Sequence, residues 1–404
     1  MAERLSVAQD VEGSIPSSRP KIHTERQSPT FKKQARVNPN LPSLRVPVAP
    51  EIPDNAGLDH RSAGFPGWLN PFEPRPGLSN GHLQTIVGNF LPRPPLDIPC
   101  FTETVQVDPA DNSRVVCHCH WQPDLDQGLQ TNSSRLTLVL VHGLEGSSES
   151  RYMLGITARA WAAGCNVIRM NMRNCGGTDA LTPTLYHSGL SGDVGAVVNH
   201  FAGRLGLKRL ALVGYSMGGN MVLKLAGEWG NRPPLVAVAA VCPAIDLAAG
   251  ADALHEPANR AYEWRFLRGL KARYARKAEL FPGMYVSPAE IGSVRSIRQF
   301  DQKIVARYCD FRDADDYYFR AAAARVVDRI TVPTLILSAQ DDPFIRFFPD
   351  TRAKLLANKH ITFVETRHGG HCAYLSKDRG DDIHWAEAAV IRYLMLAAGQ
   401  SNGS

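Results

Sequence analysis

The chain has 404 residues, 44% of them hydrophobic and 21% charged, and a net charge of +6. That is too apolar for wholesale disorder and too weakly basic for a nucleic-acid binder, which needs a dense stripe of Lys and Arg to neutralise many phosphates. Its cysteines, at 100, 117, 119, 165, 175, 242, 309 and 372, are scattered and several fall inside apolar runs, which predicts reduced thiols in a cytoplasmic protein rather than a disulfide framework.

Residues 1 to about 60 are rich in Pro, Ser, Arg and Lys without helical or strand periodicity, so they are expected to form a disordered basic tail. The start lacks the apolar core of a signal peptide. No later stretch reaches the roughly 18 uninterrupted apolar residues of a membrane span. Residues 61–242 read as the first part of an α/β domain. Within it GHLQTIVGNFL suggests one or two helical turns of undefined role, and FTETVQV and RVVCHCHW read as paired strands around the turn DPADNS. LTLVLVHG, Leu136 to Gly143, has the continuous apolarity of a strand buried on both faces of a parallel sheet. A helix over YMLGITARAWAAG, a strand at NVIRMNM, and further alternation through RLALVGYS, MGGNMVLKLAGEWG and LVAVAAVCP predict a mostly parallel sheet with helices on both faces.

Residues 243–330 turn Arg-, Ala- and Tyr-rich and helical, which predicts a cap inserted over the sheet's carboxyl edge. Residues 331–398 return to the sheet with TLILSA and ITFVET and close on the amphipathic helix WAEAAVIRYLMLAAG, leaving 399–404 as a disordered end.

GYSMGG, Gly214 to Gly219, stands directly between an apolar strand and a helix. A nucleophile elbow requires that placement: the serine sits on a sharp strand-to-helix turn, and its neighbours must be small enough for the chain to bend. Ser216 is therefore the expected nucleophile, and Met217 N–H at the helix start an expected oxyanion donor. A dinucleotide loop would need GxGxxG early in the fold, and Tyr215 and Ser216 occupy positions where backbone must approach phosphate. HGLEGSS after the first buried strand offers Leu144 N–H as the second oxyanion donor, with His142 bracing the loop. Acid and base should follow the serine at the ends of late strands. QDDPFI supplies Asp342, with Asp341 as the alternative, and RHGGHCAYL supplies His371, which the two glycines can bring over the serine.

Three features invite other readings. CHCH, Cys117 to His120, resembles a metal cluster, but strand alternation sends thiols and imidazoles to opposite faces, so no metal site or cofactor is predicted. The stretch Arg260 to Lys277 carries seven basic residues among aromatic ones, which reads as a solvated basic face or, as the alternative, a transient membrane-surface contact. RNCGGT, Arg173 to Thr178, is expected to line the pocket. Its Cys175 has no evident base and is a weak nucleophile candidate.

GHLQTI, HGLEGSSESRY, RNCGGT, LYHSG, GYSMGGN, DDPF and GGH together resemble the YheT-like branch of the α/β hydrolases, over about Gly81 to Ala397. The resemblance implies an α/β-hydrolase fold and serine hydrolysis of short- to medium-chain carboxylic esters or acylglycerols, with acyl transfer to an alcohol as the nearest alternative; since such a fold can also serve without catalysis, a ligand-binding protein is the third reading. It also implies the GGH histidine, His371, as base, a small-molecule ester or lipid as partner, and no stable protein partner. Two departures stand out: Arg173-Asn174-Cys175 where relatives usually carry Arg, Gly and a small polar residue, and the expectation of no N-terminal membrane anchor of the kind common in eukaryotic members.

Overall fold

A computed structural model describes residues 66–93, 95–123, 133–285, 291–377 and 383–400. The basic tail expected over 1–60 lies outside the described residues, as do 401–404.

Eight strands form one sheet in the order β1-β2-β4-β3-β5-β6-β7-β8. The hairpin β1 (Phe101–Asp108) and β2 (Ser113–His120) is antiparallel and pairs antiparallel with β4 (Asn166–Met170). From there β3 (Thr137–Val141), β5 (Leu210–Tyr215), β6 (Leu235–Val241), β7 (Thr334–Ala339) and β8 (Ile361–Thr366) run parallel. The unbroken apolar runs have a plain cause: every residue of β3, β5 and β7 is buried, because helices cover both faces. Helices α2 (Arg151–Ala162), α3 (Ser191–Leu205) and α4 (Met217–Trp229) connect the early strands, and α1 (Gly81–Phe90) precedes the sheet. Because β3 neighbours both β4 and β5, the winding reverses at β3, and the crevice at the carboxyl ends of these strands is where such sheets bind ligands.

Between β6 and β7 the chain makes α5 (Leu247–His255), the long α6 (Arg260–Leu280), a short helix that runs into a π-helical turn over Asp301–Val305, and α7 (Ala314–Ala321), with no strand among the described residues. Helix α6 does not present one solvated basic face. Lys277 is wholly buried and donates to the carbonyls of Asp179 (2.8 Å) and Thr182, while Arg273 reaches Glu145 (3.2 Å) and the Asn174 carbonyl. Leu267, Leu270 and Tyr274 also turn inward, leaving Trp264 exposed. After β7 come α8 (Pro349–Ala357) and, after β8, α9 (Trp385–Gln400), which extends two residues into the end expected to be disordered. No helix of the described residues is long and apolar enough to cross a membrane.

Candidate active site

Ser216 sits between the last residue of β5 and the first of α4, with φ 54° and ψ −116°, a left-handed backbone that non-glycine residues rarely adopt. The turn is held from both sides: Ser216 N–H donates to the Val241 carbonyl (2.9 Å) and its own carbonyl accepts from Asn220 (3.1 Å) and Ala244 (3.2 Å). A Cβ on Gly214 would lie 2.3 Å from the Gly218 carbonyl oxygen, and one on Gly218 2.3 Å from that of Val141, so the strand-to-helix bend admits only glycine at these two places. Met217 opens α4, where its N–H has no intrahelical acceptor.

The HGLEG loop closes on this turn. A Cβ on Gly143 would stand 3.2 Å from Ser216 Cβ, and Leu144 shares the wall of one cavity with Ser216 and Met217. His142 is fully buried and braces the loop: its Nε2 accepts from Met172 N–H (3.1 Å), which leaves Nδ1–H to donate to the Gly143 carbonyl (2.8 Å). Burial lowers its pKa to about 4, so it stays neutral.

Asp342 and His371 meet at the ends of β7 and β8. Asp342 is 2% exposed, and its Oδ2 accepts from His371 Nδ1 at 2.8 Å while Oδ1 accepts the backbone N–H groups of Phe344 (3.1 Å) and Ile345 (3.0 Å). Burial opposes its ionisation, but the His371 charge and these donors hold its carboxyl below the usual value. Burial likewise works against charge on His371, and the Asp342 carboxylate, together with the adjoining Cys372 sulfur, overcomes it and raises the imidazole pKa. Asp341 has a different task. Its Oδ1 accepts Gly370 N–H (2.9 Å) and its Oδ2 lies 3.4 Å from His368 Nδ1, so it shapes the loop that carries His371.

The Asp342–His371 pair and the serine share a neighbourhood. The Val241 carbonyl that accepts Ser216 N–H also receives the thiol of Cys372 (3.6 Å), the residue next to His371. The His371 ring lies tilted against that of Phe344, 4.2 Å between centroids, and Phe344 walls the cavity into which Ser216 opens. That cavity has about 790 Å³ of free space, its mouth included, and is mainly apolar, with Leu247, Leu254, Phe266 and Phe300 from the helical segment. Asp301, on the π-helical turn, is the one carboxyl on its wall among the described residues. Its Oδ2 accepts from Tyr318 OH (2.7 Å), and burial pushes its pKa up to about 7.

Helix α1 proves to belong to the site, a role the sequence did not suggest. Thr85 Oγ1 accepts His371 N–H (2.8 Å), and Gln84 Oε1 accepts Leu375 N–H (2.8 Å). A Cβ on Gly81 would fall 1.9 Å from the Asp341 carbonyl oxygen, and one on Gly370 2.4 Å from that of Gly81, so helix and loops touch backbone to backbone. The GHLQT spelling was the available signal.

RNCGGT does not line the cavity at Ser216, contrary to expectation. Arg173 is spent on a two-pronged pair with Asp193, both bonds 2.7 Å, and Asn174 donates to the Thr184 carbonyl (2.9 Å). Cys175 is fully buried, which raises its thiol pKa to about 12 and leaves it inert. In the CHCH stretch both thiols are buried in the sheet. His118 bonds Glu149 and Ser148 (both 3.0 Å), and His120 bonds the Pro99 carbonyl (2.8 Å). All eight cysteines are free thiols.

Residues 138–383 match the model of the alpha/beta hydrolase family. "Putative esterase YheT" of Escherichia coli is 32% identical over 335 residues, covering 80% of this chain and 92% of that protein. Mouse "Phospholipase ABHD3" is 29% identical over 60% of this chain and 59% of its own length. Among solved structures, the 2,6-dihydroxy-pseudo-oxynicotine hydrolase superposes with a TM-score of 0.50 at 17% identity, over 79% of this chain and 72% of that one, which speaks for the fold alone. An eight-stranded, mostly parallel sheet with a glycine-bound serine turn, joined to these matches, places the chain in the α/β hydrolase family, in its YheT-like branch.

Proposed function

We propose that the protein hydrolyses carboxylic esters with an apolar acyl chain, through an acyl-enzyme on Ser216. The observation that carries this reading is the 2.8 Å bond between Asp342 and His371, at the sheet edge where Ser216 opens into an apolar cavity. In this mechanism His371 Nε2 takes the Ser216 proton as Oγ attacks the ester carbonyl. Asp342 fixes the proton on Nδ1 and steadies the imidazolium. The N–H groups of Met217 and Leu144 receive the oxyanion, and loss of one such donor typically slows turnover about 10²-fold or more. His371 then protonates the departing alcohol, and water repeats the cycle on the acyl-enzyme.

The helices of residues 243–330 act as the cap that gives the acyl chain its apolar surroundings, since Leu247, Leu254, Phe266 and Phe300 come from them. Short- to medium-chain esters or acylglycerols fit those walls, in keeping with relatives named as an esterase and a phospholipase. A fluorophosphonate probe tests the core of the reading: it should label the wild-type chain and leave Ser216→Ala unlabelled. An unlabelled wild type that is folded by circular dichroism would refute Ser216 as an activated nucleophile.

A further inference from the structure

Two thiols that are 130 residues apart in the chain meet beside His371. Cys242 follows β6 and Cys372 follows His371, and one ligand atom from each of Cys242, His371 and Cys372 lies within 4.8 Å of the other two. This is the one group of three such side chains among the described residues. Both cysteines have left-handed backbone, φ 44° and φ 61°, which disfavours any residue with a Cβ. The surroundings hold them there: Cys242 N–H donates to the Leu337 carbonyl (2.8 Å), and Cys372 N–H to Cys242 Sγ (3.3 Å).

We propose that Cys242, His371 and Cys372 form a binding site for a thiophilic divalent cation of the zinc class, and that its occupation blocks hydrolysis. Zinc–ligand bonds of about 2.0–2.3 Å in a tetrahedron put ligand atoms roughly 3.5–3.8 Å apart, so side-chain rotations of about 1 Å complete the site. Two sulfurs and one imidazole are a donor set that zinc favours over magnesium or calcium, which take oxygen. His371 already donates Nδ1–H to a buried carboxylate, the outer partner that orients metal-binding histidines, and Nε2 is left to coordinate. The His371 side chain keeps 12% exposure and Cys372 is likewise not fully buried, so an ion has a way in. Binding forms two sulfur–metal bonds and one nitrogen–metal bond and releases the two thiol protons to solvent. The fourth position takes water. Inhibition rests on the reading of His371 as the base, because the ion occupies the nitrogen that must accept the Ser216 proton. The cation site itself does not.

Cadmium titration of the full chain in a phosphine reductant tests the site, read as sulfur-to-cadmium charge-transfer absorption, with p-nitrophenyl ester hydrolysis followed under zinc in parallel. The expected result is one equivalent of cadmium per chain and a thiolate band. Zinc should lower hydrolysis by about tenfold or more, reversibly with EDTA. Cys372→Ser and Cys242→Ala should each weaken the band and raise the zinc needed for half-inhibition about tenfold, relative to each variant's own cation-free activity. Removing the exposed thiol with Cys100→Ser should change neither. Using two cysteine variants, each checked by thermal melting, guards against a fold defect in one. No band in the wild type, or a band that survives both substitutions, overturns the proposal. A band with undiminished hydrolysis upholds the cation site and counts instead against His371 as the base.

Discussion

The sheet and the helical segment over residues 243–330 are held together in different ways. In the sheet, buried apolar strands set the positions, and Ser216 and Asp342 are fixed by backbone groups at strand ends: Val241 to the serine, Phe344 and Ile345 to the aspartate. The helical segment is tied down by long polar side chains that cross to neighbouring loops. Lys277 reaches two carbonyls of the loop after β4, Arg273 reaches Glu145 in the loop after β3, and Asn259 Nδ2 donates to the Pro343 carbonyl (2.8 Å) beside Asp342. Backbone-held groups tolerate almost no displacement, whereas side-chain tethers can be released one at a time. The contrast teaches that chemistry should fail abruptly with changes at the strand ends, while changes in the helices should act by degrees.

The sharpest break is expected at the aspartate pair. Asp342→Asn should lower kcat/KM by about 10⁴-fold with the fold intact, because an amide cannot hold the proton on Nδ1 or balance an imidazolium. The sign of the pH effect follows from the raised pKa of His371. Hydrolysis needs the neutral base and so rises with pH through that pKa. With the carboxylate gone the pKa falls, and the acidic limb of the residual activity should move to lower pH. Asp341→Ala removes the bond to Gly370 and should cost only about fivefold. Equal losses from the two variants would undo the division of labour drawn from their contacts.

Glycine-to-alanine changes compare the two regions directly. At Gly218 a Cβ meets the Val141 and His142 carbonyl oxygens at 2.3 and 2.4 Å, backbone that cannot retreat, and Gly218→Ala should destabilise by about 3 kcal/mol or more. At Gly250 in α5 the nearest atom is the Phe344 carbonyl oxygen at 3.6 Å, an ordinary contact. Gly250→Ala should then leave stability unchanged or raise it by up to about 1 kcal/mol through helix propensity. Chemical denaturation of the two variants checks both signs.

These differences also decide what could be read from the sequence. The serine turn was legible because strand, glycines and helix are contiguous there, and the late strands pointed to an aspartate and a histidine that do meet in space. What decides between Asp341 and Asp342 is which side chain points at a histidine 29 residues away, and no local pattern carries that. The pairing of Arg173 with Asp193 escaped notice for the same reason, so RNCGGT was assigned to the pocket. The meeting of Cys242 with Cys372 and the bond from His371 to Thr85, 286 residues earlier, likewise exist only once the sheet has formed.

Thr85 joins the two kinds of support, since it is a side chain that holds the backbone N–H of His371. Its hydroxyl donates to the Gly81 carbonyl (2.7 Å) and accepts His371 N–H, so it is a positioning residue. Thr85→Val keeps the shape and leaves that N–H unpaired, at a cost of about 1–2 kcal/mol. The expected result is a kcat about tenfold lower with KM little changed. Thr85→Ser should restore it. A drop in thermal stability with kcat intact would make Thr85 structural only.

The helical segment answers in stability before activity. Asp301 sits on the cavity wall with its carboxyl pKa raised by burial to about 7, against 3.8 for an ordinary aspartate. Between these values the folded chain holds a proton that the unfolded chain has released. Stability attributable to this group therefore falls as pH rises from about 4 to 7, and above that range the charged carboxylate is buried at a cost. Asp301→Asn keeps a hydrogen-bond acceptor for Tyr318 OH and never ionises. The variant should melt a few degrees higher than the wild type at pH 8 and within a degree or so of it at pH 4.5, at a scale of about 1.4 kcal/mol per pKa unit. Parallel melting curves across that range would mean that Asp301 carries its charge without penalty. The helical segment would then be as rigidly specified as the sheet beneath it.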